Sequence, residues 1–170
     1  MRRRLKHLII GCAIALWIIS VGLHLPVRAT DDYYAAAQEA STLTTVPVRV
    51  PAYIPTDRMF QTSAHATRDG GYLLLMRVPE PCDTDCGIGE IRGEPISNLN
   101  WTIQSRYPTA QPITLITGQP AFYVPPELDA EYSLTRIVWD EGDTRYEVAI
   151  YFASADDILT MANSAVSDTY

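Results

Sequence analysis

The sequence predicts an α+β domain: a curved antiparallel β-sheet of roughly six to eight strands with a C-terminal helix packed on it. Two observations predict this class. Short apolar stretches separated by turn signals fill the middle of the chain, and the last stretch changes from an alternating to a helical period. Strands joined by tight turns and followed by an amphipathic helix are typical of domains in which a helix covers one face of a sheet.

Residues 1–29 have the composition of an export signal. Residues 1–7 are basic, residues 8–25 form an apolar run, and Ala29 follows Val27 at the spacing that a signal peptidase requires. The apolar run is about 27 Å long as a helix, close to the ~30 Å hydrocarbon core, so the alternative is an uncleaved signal anchor that forms a transmembrane helix. The body is expected outside the cytoplasm in both cases, secreted after cleavage behind Ala29 or anchored by residues 8–25.

The charge of the chain is divided unevenly. The leader carries five basic residues and no acidic one, which leaves 8 basic and 20 acidic residues, or a net charge of −12, for residues 30–170. A body this acidic is repelled by phosphate backbones and anionic lipid heads. We therefore expect no nucleic-acid partner, membrane contact only through the N-terminal segment, and a ligand whose head group is neutral or cationic.

The start of the body mixes helical and extended signals. Residues 30–45 are expected to form a short helix or a linker, and a single domain is expected to span residues 46–167. Pro47, Pro51 and Pro55 favour extended chain. We expect this extended chain at a sheet edge, because proline cannot donate a hydrogen bond to a central ladder.

The middle of the chain predicts hairpins and one strand with a polar face. Turn signals rich in Gly, Asp and Pro lie at 69–71, 118–120 and 140–143, each between apolar stretches. The clearest alternation of apolar and polar residues runs through 98–107, and it predicts a strand with one apolar and one polar face.

The last element is predicted to be a helix of about three turns. Ser154 and Asp157 have the spacing of a capping box, in which the serine caps the helix and the carboxylate lies at its third position. Apolar residues then recur on one helical face, and they are Ile158, Leu159, Ala162, Ala165 and Val166. This stripe is expected to pack against the sheet.

Residue types that carry catalysis are sparse after the leader. His65 is the one histidine of that part, and Ser63 lies two positions before it. A Ser–His pair can activate a nucleophile, but no nucleophile elbow surrounds this one, which favours an exposed polar face. Metalloprotease, phosphate-loop and dinucleotide-binding motifs are also missing. We therefore expect no enzyme activity, no cofactor and no metal.

Cys82 and Cys86 are the two cysteines that follow the leader, and they lie in a loop rich in turn residues. In an oxidising compartment such a pair forms a disulfide bond. Two alternatives remain open: a zinc site completed by Asp83 and Asp85, and a redox-active pair.

A candidate ligand surface follows from the aromatic content. Fifteen of the 16 aromatic residues lie after the leader, more than a small core needs. We expect a groove between the sheet and the C-terminal helix, and the alternative is that the same side chains form an ordinary core. The candidate residues are Trp101, Trp139, Tyr146, Ile158, Leu159 and Ala162.

The C-terminal part resembles a family. The stretches that carry the resemblance are ITGQPAFY at 116–123, IVWDEG at 137–142, YEV at 146–148 and the helix from Ser154 to Ser164. In this order they resemble a bacterial domain of unknown function found at the C-termini of exported or anti-sigma-like membrane proteins. The likeness covers residues 46–167, and VPAYIP at 50–55 is similar to the start of that family. The resemblance implies a fold akin to the lipoprotein-carrier proteins and implies no catalytic residues.

These observations predict an exported, non-enzymatic envelope domain that binds a hydrophobic small molecule, a lipid, a peptide or an envelope protein. An exported hydrolase with an unrecognised site and a purely structural envelope subunit are the alternatives. A deep pocket that joins His65 with carboxylates favours the hydrolase, whereas an apolar groove favours the binding domain and a flat apolar patch favours the structural subunit.

Overall fold

The computed structural model describes residues 31–82, 86–126 and 133–167, so the predicted leader lies outside the described residues. Helix α1 spans Asp31–Leu43 and helix α3 spans Ala155–Ser167. Between them lie the strands β1 (Gln61–Ala66), β2 (Tyr72–Arg77), β3 (Gly87–Pro95), β4 (Gln111–Thr114), β5 (Pro120–Val124), β6 (Leu134–Glu141) and β7 (Thr144–Tyr151). A 3-10 turn at Ile96–Asn98 and the short helix α2 (Ile103–Arg106) connect β3 with β4.

The seven strands form one open antiparallel sheet in the order β1-β2-β3-β7-β6-β5-β4. Strands β1 to β3 and strands β4 to β7 are two meanders of consecutive neighbours, and the pairing of β3 with β7 joins them. The connection through α2 carries the chain from the middle of the sheet to its far edge. The predicted α+β class, the strand number and the C-terminal helix are therefore confirmed.

One face of the sheet carries the core. Alternate residues of the central strands point to this face, as their complete burial shows for Leu74, Ile137 and Val148. Helix α1 packs mainly against β1 and helix α3 against β6 and β7, and both helices contribute to one continuous apolar cluster. Segment 31–43, for which helix and linker were both open, is thus a helix built into the core.

The proline-rich segment at 46–55 was expected at a sheet edge, and this prediction was wrong. The segment instead crosses the apolar face between the two helices, where Val48, Val50 and Ile54 are buried. Buried apolar side chains at every second position outweigh the tendency of proline-rich chain to lie at an edge. The segment covers core surface and makes isolated β-bridges at Arg49 and Tyr53, but it adds no strand to the seven-stranded sheet.

Two tyrosines fix this segment to the sheet. The backbone N–H of Arg49 donates to the Tyr72 hydroxyl over 2.9 Å, and the Tyr146 hydroxyl donates to the carbonyl of Pro47 over 3.0 Å. The two rings flank Gly93 on the strand between them, where an added Cβ would lie 2.5 Å from Tyr72 and 3.1 Å from Tyr146. Glycine is required at this position because both rings approach its backbone.

The prediction of a strand at 98–107 was also wrong. The chain forms the 3-10 turn and helix α2 there, because Thr102 and Ser105 make a reciprocal capping box. The Thr102 hydroxyl accepts from the Ser105 N–H, and the Ser105 hydroxyl accepts from the Thr102 N–H. Such side-chain bonds to the backbone compete with a strand ladder. Pro108 follows two positions after the helix, which stays a single turn.

The C-terminal helix begins as its sequence predicts. The Asp157 N–H donates to the Ser154 hydroxyl over 3.2 Å, and this hydroxyl donates to the Asp157 carboxylate over 2.6 Å. The apolar stripe of α3 faces the sheet, with Ile158, Met161 and Ala162 entirely buried. The helix therefore closes the apolar face of the domain.

Candidate functional site

The residues expected to line a ligand groove lie on both faces of the sheet. Trp139 and Tyr146 belong to the core face, where their rings stack with centroids 5.4 Å apart. The guanidinium carbon of Arg49 lies 5.9 Å from the centre of the Tyr146 ring. Trp101 lies on the opposite face against Tyr107, so the structure does not bring the two tryptophans together.

The helix residues of the same set are part of the core. Ile158 and Ala162 have no exposed surface, and Leu159 is half-buried against the same cluster. The space between α3 and the sheet is filled at these positions.

A cavity of about 630 Å³ lies instead beside the N-terminal helix. We call it the α1 cleft. Its lining residues come from α1 and from the segment that follows it, and they are Tyr34, Ala35, Ala37, Gln38, Ser41, Thr44, Thr45, Val46, Pro47 and Val48. Small and apolar side chains dominate this lining, hydroxyl and amide groups make up the rest, and the ten residues include no Asp, Glu, Lys, Arg or His.

The wall of the α1 cleft is held in place from several directions. The Tyr146 hydroxyl binds the Pro47 carbonyl, as described above, and the Thr44 hydroxyl donates to the carbonyl of Gly70 over 2.7 Å. The same Thr44 oxygen accepts from the Val46 N–H over 3.1 Å. The segment is therefore pre-organised, so a ligand that binds in the cleft has to immobilise few further protein groups.

The other face of the sheet carries a network of ion pairs. Arg145 binds both oxygens of Asp140 at 2.7 and 2.9 Å, and its third nitrogen donates to the Trp101 carbonyl over 3.0 Å. Arg136 donates to Glu147 over 2.8 Å, and the Tyr107 hydroxyl donates to the second oxygen of this carboxylate over 3.0 Å. Burial and the nearby Glu147 raise the pKa of Tyr107, so the phenol stays a hydrogen-bond donor.

Two further carboxyl groups on this face are partly dehydrated. Burial is the main cause that raises the pKa of both Glu90 and Glu94. Arg92 opposes this rise, because its guanidinium nitrogens lie 3.7 Å from a carboxylate oxygen of each glutamate. The face therefore holds carboxyl groups whose charged form is disfavoured, which is an environment found often at functional sites.

A second cavity, of about 560 Å³, opens on this polar face between the end of α2 and strands β5 and β6. We call it the arginine cavity. Its lining residues are Arg106, Tyr107, Pro108, Thr109, Val124, Pro125, Leu134 and Arg136. Sequence reasoning missed both cavities. The small side chains of α1 were one available signal for the first, whereas the second depends on strand pairing.

The Ser63 and His65 side chains meet as their spacing predicts, with 2.9 Å between the Ser63 hydroxyl oxygen and Nε2 of His65. Both are exposed on the edge strand β1. Among the described residues no carboxylate orients the imidazole, and a nucleophile–base pair needs such a third group to fix its tautomer. The contact alone does not build a hydrolase site.

The sulfur atoms of Cys82 and Cys86 lie at disulfide-bonding distance, and their Cα atoms are 5.8 Å apart. This separation is within the range that a disulfide spans. Asp83 and Asp85, which the zinc alternative needs, lie outside the described residues. In the described part of the chain, no three His, Cys, Asp or Glu side chains are grouped so that they could hold a metal ion.

Comparison with known proteins adds no relative. No family profile matches the chain, and no curated protein and no solved structure is similar to it. None of the helices in residues 31–82, 86–126 and 133–167 is long and apolar enough to cross a membrane. The two cavities and their chemistry are therefore the features from which a function can be inferred.

Proposed function

We propose that the chain is an exported, non-enzymatic domain that binds a hydrophobic ligand, either a small lipid-like molecule or an apolar peptide segment, in the α1 cleft. The observation that carries the proposal is the cleft itself. Its volume of about 630 Å³ lies in the range of ligand pockets, about 300 to 1,000 Å³, and its wall is pre-organised.

The lining of the cleft supports a neutral ligand. Ala35, Ala37 and Val46 offer apolar surface, while Gln38 and Ser41 offer hydrogen bonds without a charge. This lining fits a molecule with an apolar body and an uncharged polar end. Among the residues that the structure describes, the cleft lining includes no His, Asp, Glu or Lys that could act as the base for one of its hydroxyl groups in hydrolysis.

Export is supported by two independent features. The leader at 1–29 has the basic and apolar regions of a signal, and Cys82 and Cys86 approach each other as a disulfide bond requires. Intact-mass analysis of the product tests export directly. Cleavage behind Ala29 identifies a secreted protein, full length in the membrane identifies the anchor, and full length in the cytosol contradicts export.

The α1 cleft is tested by filling it. Ser41 and Thr42 are neighbours at the exposed end of α1, and each hydroxyl donates to the carbonyl three residues earlier, over 2.6 and 2.7 Å. Ser41 lines the cleft and Thr42 does not. Ser41→Trp therefore places an indole in the cleft, and Thr42→Trp is a matched control that loses the same kind of hydrogen bond.

The readout is the ligand that the exported protein retains, measured by native mass spectrometry and by binding of a neutral hydrophobic dye. We expect wild type and Thr42→Trp to retain apolar molecules or dye, and Ser41→Trp to lose them. Equal binding by both variants, or no binding by wild type, would refute the proposed function.

An exported hydrolase is the second candidate, and the Ser63–His65 contact is the observation that favours it. Turnover of ester substrates by wild type and by Ser63→Ala separates the two functions. A rate that disappears in Ser63→Ala supports the hydrolase, whereas equal rates exclude this pair.

A further inference from the structure

We propose that the arginine cavity is a second binding site, which takes an organic anion: a carboxylate or phosphate group attached to an apolar body. This inference goes beyond the proposed function, because the arginine cavity lies on the opposite face of the sheet from the α1 cleft and has different chemistry. Two arginines, Arg106 and Arg136, line this cavity.

Arg106 offers free hydrogen-bond donors to the cavity. Its Nε donates to the Tyr107 hydroxyl over 3.2 Å, and its two terminal nitrogens have no hydrogen-bond partner in the described part of the chain. No carboxylate of that part lies within ion-pair distance of it. A guanidinium with two free terminal nitrogens has the geometry for bidentate binding of a carboxylate or phosphate.

Stacking holds this guanidinium in position. Its central carbon lies 4.9 Å from the ring centre of Trp101 and 5.6 Å from that of Tyr107. Arg145 lies 4.7 Å from the same Trp101 ring and binds the Trp101 carbonyl, which fixes the aromatic platform. A pre-positioned arginine loses less side-chain entropy when it binds an anion than a free one does.

Arg136 is the second cation of the cavity, and it is also fixed. Its Nε binds Glu147, one terminal nitrogen donates to the Leu134 carbonyl over 3.1 Å, and the other has no partner among the described residues. Its guanidinium lies 5.8 Å from the Tyr107 ring centre. No carboxylate of the described residues lines the cavity itself: Glu147 pairs with Arg136, and Glu90 and Glu94 act on the two arginines only through longer-range electrostatic interaction.

The remaining walls suit an apolar body. Val124 is buried, Leu134 is half-buried, and Pro108 and Pro125 complete the lining with Thr109. The volume of about 560 Å³ has room for an anionic head and a short alkyl or aryl group. An inorganic anion would leave these apolar walls unused.

The acidic charge of the whole body does not exclude an anion. That charge sets the field far from the protein and slows the approach of an anion. At physiological salt the field is screened within about 8 Å, so the groups in contact with the ligand decide whether it stays bound. The expectation of a neutral or cationic head, drawn from net charge alone, therefore does not extend to this cavity.

Isothermal titration calorimetry with three matched probes tests the inference: octanoate, octyl phosphate and octanol. The exported protein is titrated as wild type and as Ser41→Trp, in which the α1 cleft is filled and cannot take octanol. In Ser41→Trp we expect both anions to bind and octanol to bind at least tenfold more weakly, because charge-assisted hydrogen bonds to the head are lost. Preference between octanoate and octyl phosphate shows whether the natural ligand is a carboxylate or a phosphate ester.

Variants assign the site. Arg106 is exposed, so Arg106→Gln leaves the fold intact, and we expect it to weaken anion binding about tenfold or more. Arg106→Lys keeps the charge without the planar pair of donors, and intermediate binding is expected. Arg68→Gln removes an exposed arginine from the β1–β2 turn, outside the cavity, and serves as the control for net charge.

Each outcome decides between the sites. Equal binding of octanol and octanoate by Ser41→Trp, or equal effects of Arg106→Gln and Arg68→Gln, would overturn the inference. If Ser41→Trp abolishes octanoate binding and Arg106→Gln does not, the anion occupies the α1 cleft; the second site is then refuted while the proposed function stands. If Ser41→Trp loses only the neutral ligand and Arg106→Gln loses only the anion, the proposed function and the second binding site are both supported.

Discussion

Replacement of Ile158 by alanine tests whether α3 closes the core or lines a ligand groove. Ile158 has no exposed surface and lies in the apolar cluster between α3 and the sheet. If it is core, its truncation destabilises the fold. If it lines a groove that a ligand fills, its truncation costs little stability and changes binding.

The expected cost follows from the atoms removed. Ile158→Ala deletes three buried carbon atoms, which contribute about 0.8 kcal/mol each, or about 2.4 kcal/mol in total. The cavity left behind adds to this, since packed surroundings relax only in part, and the higher helix propensity of alanine returns about 0.4 kcal/mol. We expect the free energy of unfolding to fall by about 3 kcal/mol.

Urea denaturation measures this loss. With a slope of about 1.5–2 kcal/mol per molar, the midpoint moves down by about 1.5–2 M. Ile158→Val is expected to cost about 1 kcal/mol and gives a measurable value should the alanine variant not fold. Leu159→Ala is the control on the same helix, because Leu159 is half-buried and its truncation costs about 1 kcal/mol.

Two results would refute the reasoning: a loss below 1 kcal/mol for Ile158→Ala, or equal losses for Ile158→Ala and Leu159→Ala. Either would show that the buried stripe of α3 is not tightly packed. It would also return Ile158, Leu159 and Ala162 to the candidate ligand surface.

Three further predictions concern other parts of the fold. Phe152 has a left-handed φ of 59° and is 71% exposed, so Phe152→Asn, which relieves the strain and buries nothing new, is expected to raise the urea midpoint. The Cys82–Cys86 link closes a five-residue loop; replacement of both by serine should cost about 2 kcal/mol or less, and alkylation before reduction should label neither cysteine. Since the folded-state pKa values of Glu90 and Glu94 are raised, the folded chain binds more protons than the unfolded chain just above the ordinary glutamate pKa. The contribution of these two groups to stability therefore falls as pH rises through that window. In urea unfolding, the free energy at pH 7 minus that at pH 5 should be more positive in Glu90→Gln/Glu94→Gln than in wild type.

The elements that could be predicted from the sequence are those that local signals define. The turn at 69–71 and the hairpin at 140–143 contain the residues that such turns require, and both are found where expected. The capping box of Ser154 and Asp157 fixes the start of α3 within four residues of chain. No contact from a distant segment is needed to form any of these.

The mispredicted elements are those in which two local signals disagree or distant contacts decide. The alternation at 98–107 has the period of a strand, but Thr102 and Ser105 satisfy each other's backbone groups and form a helical turn instead. The prolines of the segment at 46–55 predict a strand at the edge of the sheet. Its position over the core depends on Tyr146, which is 99 residues away from Pro47 in the chain.

Neither cavity could be predicted from the sequence, and the physical reason is the same for both. The α1 cleft exists because segment 44–48 is held by the sheet, and the arginine cavity exists because α2 places Arg106 beside Arg136 of β6. Periodicity shows which residues share a face of one element. It does not show which elements a crossover connection brings together.

Weakly compensated charge lies on the polar face of the sheet. On the core face, the Tyr72 and Tyr146 hydroxyls form hydrogen bonds with the backbone, although Nε1 of the buried Trp139 has no hydrogen-bond partner among the described residues. On the polar face, Glu90 and Glu94 are dehydrated enough to raise their pKa values, and Arg106 has no carboxylate partner among the described residues. Carboxylates that are dehydrated, like those of Glu90 and Glu94, destabilise a fold, because removing their charge from water costs more than weak pairing with Arg92 returns.

A face whose charged groups cost stability is where function is expected, since local rules are often broken at functional sites. The arginine cavity lies on that face, and its two guanidinium groups are the donors that an anion would neutralise. Bound anion would then stabilise the folded state in proportion to its concentration. Arg106→Gln should remove this stabilisation at saturating octanoate while it leaves the urea midpoint without ligand almost unchanged, because Arg106 is exposed and forms no ion pair in the described part of the chain.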